Sequence, residues 1–185
     1  MKRLGISAHK SGVPQTARLV TLAFLTALAL IVSVLENMFP PLIPLAPGAK
    51  LGLGNIAPLI ALIILGTGDA YAVMIVKSLL GAIVSGGVSG LMYSVPSGLA
   101  ALTVEVILFM LVFDRMSVAM ISLVGATVFN AVQLGVATLI TGVDLVVLLP
   151  WLLLAGFLAG GFTGLLTYYI VKRLPYSVYG RRGRR

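Results

Sequence analysis

The sequence predicts an all-α integral membrane protein that crosses the bilayer with six transmembrane helices. Three observations lead there. Hydrophobic residues make up 59% of the 185-residue chain and charged residues 10%. A soluble domain runs near a quarter charged, so too few polar side chains remain to cover a water-facing surface. The mean hydropathy of +1.12 agrees. Finally, the apolar residues gather into runs near the roughly 20 residues that a helix needs to cross the hydrocarbon, while basic residues collect at the two ends.

The first run, 16–36, is long enough to span. NMFPPLIPLAPGAKLGLGN follows at 37–55, and its Pro40, Pro41, Pro44 and Pro47 oppose helix. The second run, 56–66, is too short for a straight span. It reads as a short or tilted helix that starts inside the loop. TGD at 67–69 reads as a turn. The third run covers 70–85 and gives way to GGVSG at 86–90. The fourth covers 91–113 with Pro96 near its start, and DRM at 114–116 is a tight loop. The fifth covers 117–141, and GVD at 142–144 breaks it. The sixth covers 146–171, with Pro150 in the first turn, where proline is tolerated.

Charge sets the orientation. With both termini in the cytoplasm, loops 67–69 and 114–116 face inward, and loops 37–55, 86–90 and 142–145 face outward. Of the 13 Lys and Arg, all except Lys50 and Lys77 then lie on the inner side, as the positive-inside rule asks. An odd number of crossings would strand one basic tail outside. The expectation is a single membrane domain over 1–185 in the cell (inner) membrane, with 1–15 and 173–185 as basic cytoplasmic tails. The net charge of +8 is read as this orientation and as attraction to anionic lipid, not to nucleic acid. The first run is too long, and lacks a following small-residue site, for a cleaved signal peptide.

Composition also excludes chemistry. Without cysteine there is no disulfide, thiolate metal site or cysteine nucleophile. The single histidine, His9, lies in the N-terminal tail. The acidic residues Glu36, Asp69, Glu105, Asp114 and Asp144 are scattered, whereas Mg²⁺-diphosphate needs several clustered oxygen ligands. No metal, no cofactor and no catalytic activity are expected. GLGNIA at 52–57 matches G-x-G-x-x-A, but that pattern signifies a dinucleotide only after a strand in a βαβ unit, and a proline-rich loop precedes it. No Walker lysine motif occurs, so ATP hydrolysis is not expected of this chain.

Several residues remain as candidates. Gly52 and Gly54 permit close backbone approach. Asn55 can cap the following helix, whose amides favour an anion, and Lys50 sits just before. The loop is either a packed hairpin with a snorkelling lysine or a lid with an anion contact. Lys77, in AVMIVKSLL, is costly in hydrocarbon; it pairs with Glu105 or Asp69, or it meets a ligand or partner subunit. Glu105 suits an interhelical pair or proton coupling. Asn130 and Gln133, at i and i+3, share a helix face. They bond neighbouring helices or line a mid-membrane pocket, which Tyr93, Ser94 and Ser97 could share. Small residues recur at i, i+4 in Ala23 and Ala27 and in Gly156, Gly160 and Gly164, a spacing that allows close helix approach within the chain or to a partner.

Six helices, the loop PGAKLGLGNIAPLIAL, a charge in helix three and FNAVQL in helix five together resemble the Gx transporter family. Some members carry the older label heptaprenyl diphosphate synthase component I. That family is similar to the substrate-binding S components of energy-coupling-factor transporters. The resemblance covers roughly residues 17–172, and the loop stretch is its most specific part. It implies an S-component-like bundle whose structured first outer loop closes over a vitamin or cofactor precursor taken from outside. It further implies an Ala-x-x-x-Ala docking face, matched by Ala23 and Ala27, for a transmembrane coupling subunit that works with two separate ATPase subunits. The leading expectation is therefore a membrane substrate-binding protein for an anionic or flavin-like small molecule held by Lys50, Asn55, Lys77, Tyr93, Asn130 and Gln133. One alternative is a membrane accessory subunit of a prenyl diphosphate synthase in isoprenoid or quinone biosynthesis. Another is a solitary proton-coupled carrier resting on Glu105.

Overall fold

The computed structural model describes residues 14–38, 52–84, 88–112 and 116–173. The basic tails, most of the loop after the first helix with Lys50, and the tip with Asp114 and Arg115 lie outside them. Six α-helices form: α1 Gln15–Met38, α2 Ile56–Ile64, α3 Thr67–Val84, α4 Val88–Val112, α5 Val118–Thr141 and α6 Leu149–Arg173. Short 3-10 turns, Leu53–Asn55 and Val146–Leu148, lead into α2 and α6. Five of the six helices are long and apolar enough to cross a membrane. α2 is the exception. Its nine residues rise only about 14 Å, and every one is buried. A helix that is apolar on all sides has no face to offer water and belongs inside. α2 accordingly fills the interior, packed against α1, α3, α4 and α6.

Helix ends follow local chemistry, with two departures from the sequence reading. Thr67–Asp69 is the first turn of α3 rather than a loop, because Gly66, at φ 110°, takes up the reversal alone. Asp69 there suits the positive end of the helix, and Arg18 Nε donates to its Oδ2 at 2.7 Å. α4 begins at Val88, inside the expected loop 86–90, and runs through Pro96 without a break. Ser117 caps α5, its hydroxyl accepting from the Met120 amide at 3.2 Å. Gly142, at φ 68°, closes α5 in the left-handed conformation that favours glycine.

The long helices pack in sequence, α3 on α4, α4 on α5 and α5 on α6, with α1 beside α3. At the α5–α6 seam, Gly156 faces Asn130, Gly160 faces Ala126 and Leu123, and Gly164 faces Ala119 and Ser122. The glycine repeat of α6 is thus used inside the chain, and Ser122 and Thr163 bridge the same seam at 2.9 Å. Ala23 and Ala27 behave oppositely. They sit on the outward face of α1, among exposed Val20, Phe24 and Ile31.

Candidate functional site

The site is built around Lys77. Its side chain is only 7% exposed in the middle of α3. A buried ammonium needs compensation, and Nζ donates to Asn55 Oδ1 at 2.5 Å. Glu105, buried on α4, lies within Coulombic reach of Lys77, its carboxylate packed over Gly125 of α5. Of the two acids expected as partners, Asp69 is instead committed to Arg18.

The turn before α2 brings Asn55 to Lys77. Gly52 holds φ 80°, and its amide donates to Glu36 Oε1 at 2.7 Å. Gly54 lies against Ser33 and the Ala29 carbonyl of α1, and a β-carbon there would stand 3.5 Å from Lys77 Nζ. These glycines serve close approach, as the sequence suggested, but the surfaces approached are α1 at Gly54 and Phe129 of α5 at Gly52. Asn55 does not cap α2: its side chain makes no cap bond. The 3-10 turn runs straight into α2 and leaves Asn55 at φ −75°, ψ −7°, while a capping residue needs extended backbone. The amide is thereby available to Lys77.

Beside this pair lies a cleft lined by Ser33 of α1, Lys77, Ser78, Gly81 and Ala82 of α3, and Gly90 and Ser94 of α4. It spans about 320 Å³ of empty space including its open mouth, and its inner part is narrow. The inner part holds one or two waters; a whole vitamin needs the cleft wider than it stands. Ser78 and Ser94 face each other across it, with hydroxyl oxygens 3.4 Å apart.

The six expected site residues separate into groups. Asn55 and Lys77 meet directly. Tyr93 is buried with Leu134, Ala137, Leu145 and Leu152 in a second apolar cluster, its carbonyl accepting from Ser97. Asn130 reaches the same region, donating through Nδ2 to the Leu152 carbonyl at 2.9 Å, while its Oδ1 is buried without a partner among the described residues. Gln133 is buried one turn further along α5. Lys50 lies outside the described residues. Sequence reasoning missed Ser33, Ser78 and the Glu36 contact to Gly52. The described residues contain no group of three or more His, Cys, Asp or Glu able to hold a metal.

Among the described residues, these features define a multi-pass, helical membrane protein with a buried cation, Lys77, beside a hydroxyl-lined cleft. The model of the family described as heptaprenyl diphosphate synthase component I matches residues 25–170. The chain belongs to this family, which is also called the Gx transporter family. Neither a curated protein nor a solved structure matches it.

Proposed function

We propose that the chain is a membrane substrate-binding protein of the S-component type, taking up a small organic vitamin or cofactor precursor that is anionic or flavin-like. One observation carries the reading: Lys77, buried mid-helix in a membrane protein, lies on the wall of a cleft lined with hydroxyl groups. Such a charge marks a substrate path more often than a structural accident. Asn55 and Lys77 form the polar head of the site, with Lys50 supplied by the loop. Tyr93, Asn130 and Gln133 form a second wall that a widened cleft would reach. The exposed Ala23 and Ala27 suit close approach by a transmembrane coupling subunit, which would bring two ATPase subunits. The chain itself is not an enzyme in this reading.

The test is mass spectrometry of small molecules retained by the purified protein. Wild type is expected to hold a defined compound, and Lys77→Gln to hold at least ten-fold less. Equal retention by both would remove Lys77 from the site. The family's description supports a second reading, a membrane accessory subunit of a prenyl diphosphate synthase. Copurification separates the two: coupling and ATPase subunits support transport, and a soluble prenyl synthase supports the accessory role.

A further inference from the structure

We propose that the cleft binds its ligand through a carboxylate, which takes Lys77 Nζ in exchange for the Asn55 side-chain carbonyl. The proposal rests on reading the cleft as the ligand site and names the chemical group it takes.

Three features of the cleft select that group. The first is the chemistry of one partner that Lys77 holds. Asn55 Oδ1 is a neutral acceptor at 2.5 Å. A carboxylate in the same place makes the bond charged on both sides, adding ion-pair attraction to a bond in which only the donor is ionised. The exchange is therefore favourable for an anion and gains nothing for a neutral carbonyl ligand, which only replaces like with like.

The second feature is the set of donors around Nζ. Ser33, Ser78 and Ser94 all line the cleft. The Ser78–Ser94 separation of 3.4 Å is long for a hydroxyl pair, which prefers 2.5–3.0 Å. Those hydroxyls are weakly committed to each other and can turn toward an oxyanion between them. Gly54, with no side chain, lets the turn sit against Ser33 and the Ala29 carbonyl close to Nζ.

The third feature is charge and size. Among the described residues lining the cleft, Lys77 is the one cation and no arginine occurs. Glu105 sits within Coulombic reach of Lys77, so the site has little spare positive charge and favours a singly charged anion over a doubly charged one. Phosphate sites favour the arginine fork, which is missing from this wall. The narrow inner part of the cleft suits a small planar head group, and the rest of the ligand extends beyond it.

The experiment uses thermal melts of the full chain in lipid nanodiscs at constant ionic strength, with benzoate, benzamide and inorganic phosphate as probes. Benzoate is expected to raise Tm in a saturable way, with apparent affinity at least ten-fold above benzamide and phosphate. Asn55→Asp tethers a carboxylate at Lys77; it is expected to raise Tm without any probe and to weaken benzoate at least ten-fold. Benzamide or phosphate matching benzoate would overturn the assignment, as would full benzoate response in Asn55→Asp. A neutral compound retained by the purified protein would overturn the carboxylate assignment and leave the substrate-binding reading standing. Recovery of a prenyl synthase with no retained compound and no probe response would remove both.

Discussion

Asn130 shows how a single buried amide separates stability from binding. Its Nδ2 bonds the Leu152 carbonyl across the α5–α6 seam, and such bonds between membrane helices average about 0.6 kcal/mol. Its Oδ1 has no partner among the described residues, and an unmet buried acceptor costs about 1–3 kcal/mol. Asn130→Ala removes the gain and the cost together, so its net effect on folding is a stabilisation of about 0.4–2.4 kcal/mol rather than a loss. If the orphaned oxygen serves the ligand, binding falls by ten-fold or more in the same preparation. Melting curves and retained ligand, measured side by side, decide it: a large loss of Tm with unchanged binding assigns Asn130 to packing alone. Lys77 was legible as a candidate because charge in hydrocarbon is rare and expensive. Ser33 and Ser78 were not, since hydroxyls in membrane helices commonly bond their own backbone four residues back. Thr21, Thr103, Thr127 and Thr141 do so in this chain. A serine that lines a cleft looks the same in sequence as one that does not.

At the scale of the element, α6 depends on its glycines. A β-carbon at Gly160 would stand 2.7 Å from Ala126 Cβ, 2.8 Å from Leu123 Cα and 2.9 Å from the Ser122 carbonyl oxygen. Two of those three are backbone atoms, which cannot swing aside as a flexible side chain does. Gly160→Val is expected to force α6 off α5 and to destabilise the fold by about 1–3 kcal/mol, read as a lower Tm. Gly161→Val is the control, because nothing stands near its β-carbon position, and its Tm should hold. Existence and order of the helices were readable because length and hydropathy are local properties. Their ends were less so. The shift of the third helix from 70 to Thr67 turns on one glycine, Gly66, whose φ of 110° absorbs the reversal that the neighbouring TGD was given. The shortness of α2 could be read from the sequence, but not that its turn carries Asn55 to Lys77, because that contact joins residues 22 apart in the chain.

At the scale of the molecule, the geometry alone puts the start of α1 and the close of α6 at one end of the bundle. Arg18 binds Asp69 at the start of α3, and Tyr71 two residues further meets Thr103 of α4 at 2.8 Å. Glu105 packs on Gly125 of α5, and Ala119, earlier in α5, meets Gly164 of α6, whose last turns run on past that level. The short α2 therefore counts as a return: it brings the chain back to the Arg18 end although it is too short to span. Which end faces the cytoplasm follows from the basic tails, if the positive-inside rule governs them. The absence of native cysteine gives a clean background for thiol labelling. Ser11→Cys and Ser177→Cys report the two tails, and Val143→Cys reports the opposite end, where that residue is exposed beyond α5. In intact cells a membrane-impermeant maleimide should label Val143→Cys alone, and all three should react once the membrane is opened. Labelling of one tail but not the other in sealed cells would contradict the helix pairing itself. Labelling of both tails with Val143→Cys protected would keep the bundle and invert it, placing the Lys77 cleft nearer the cytoplasm and making uptake from outside untenable.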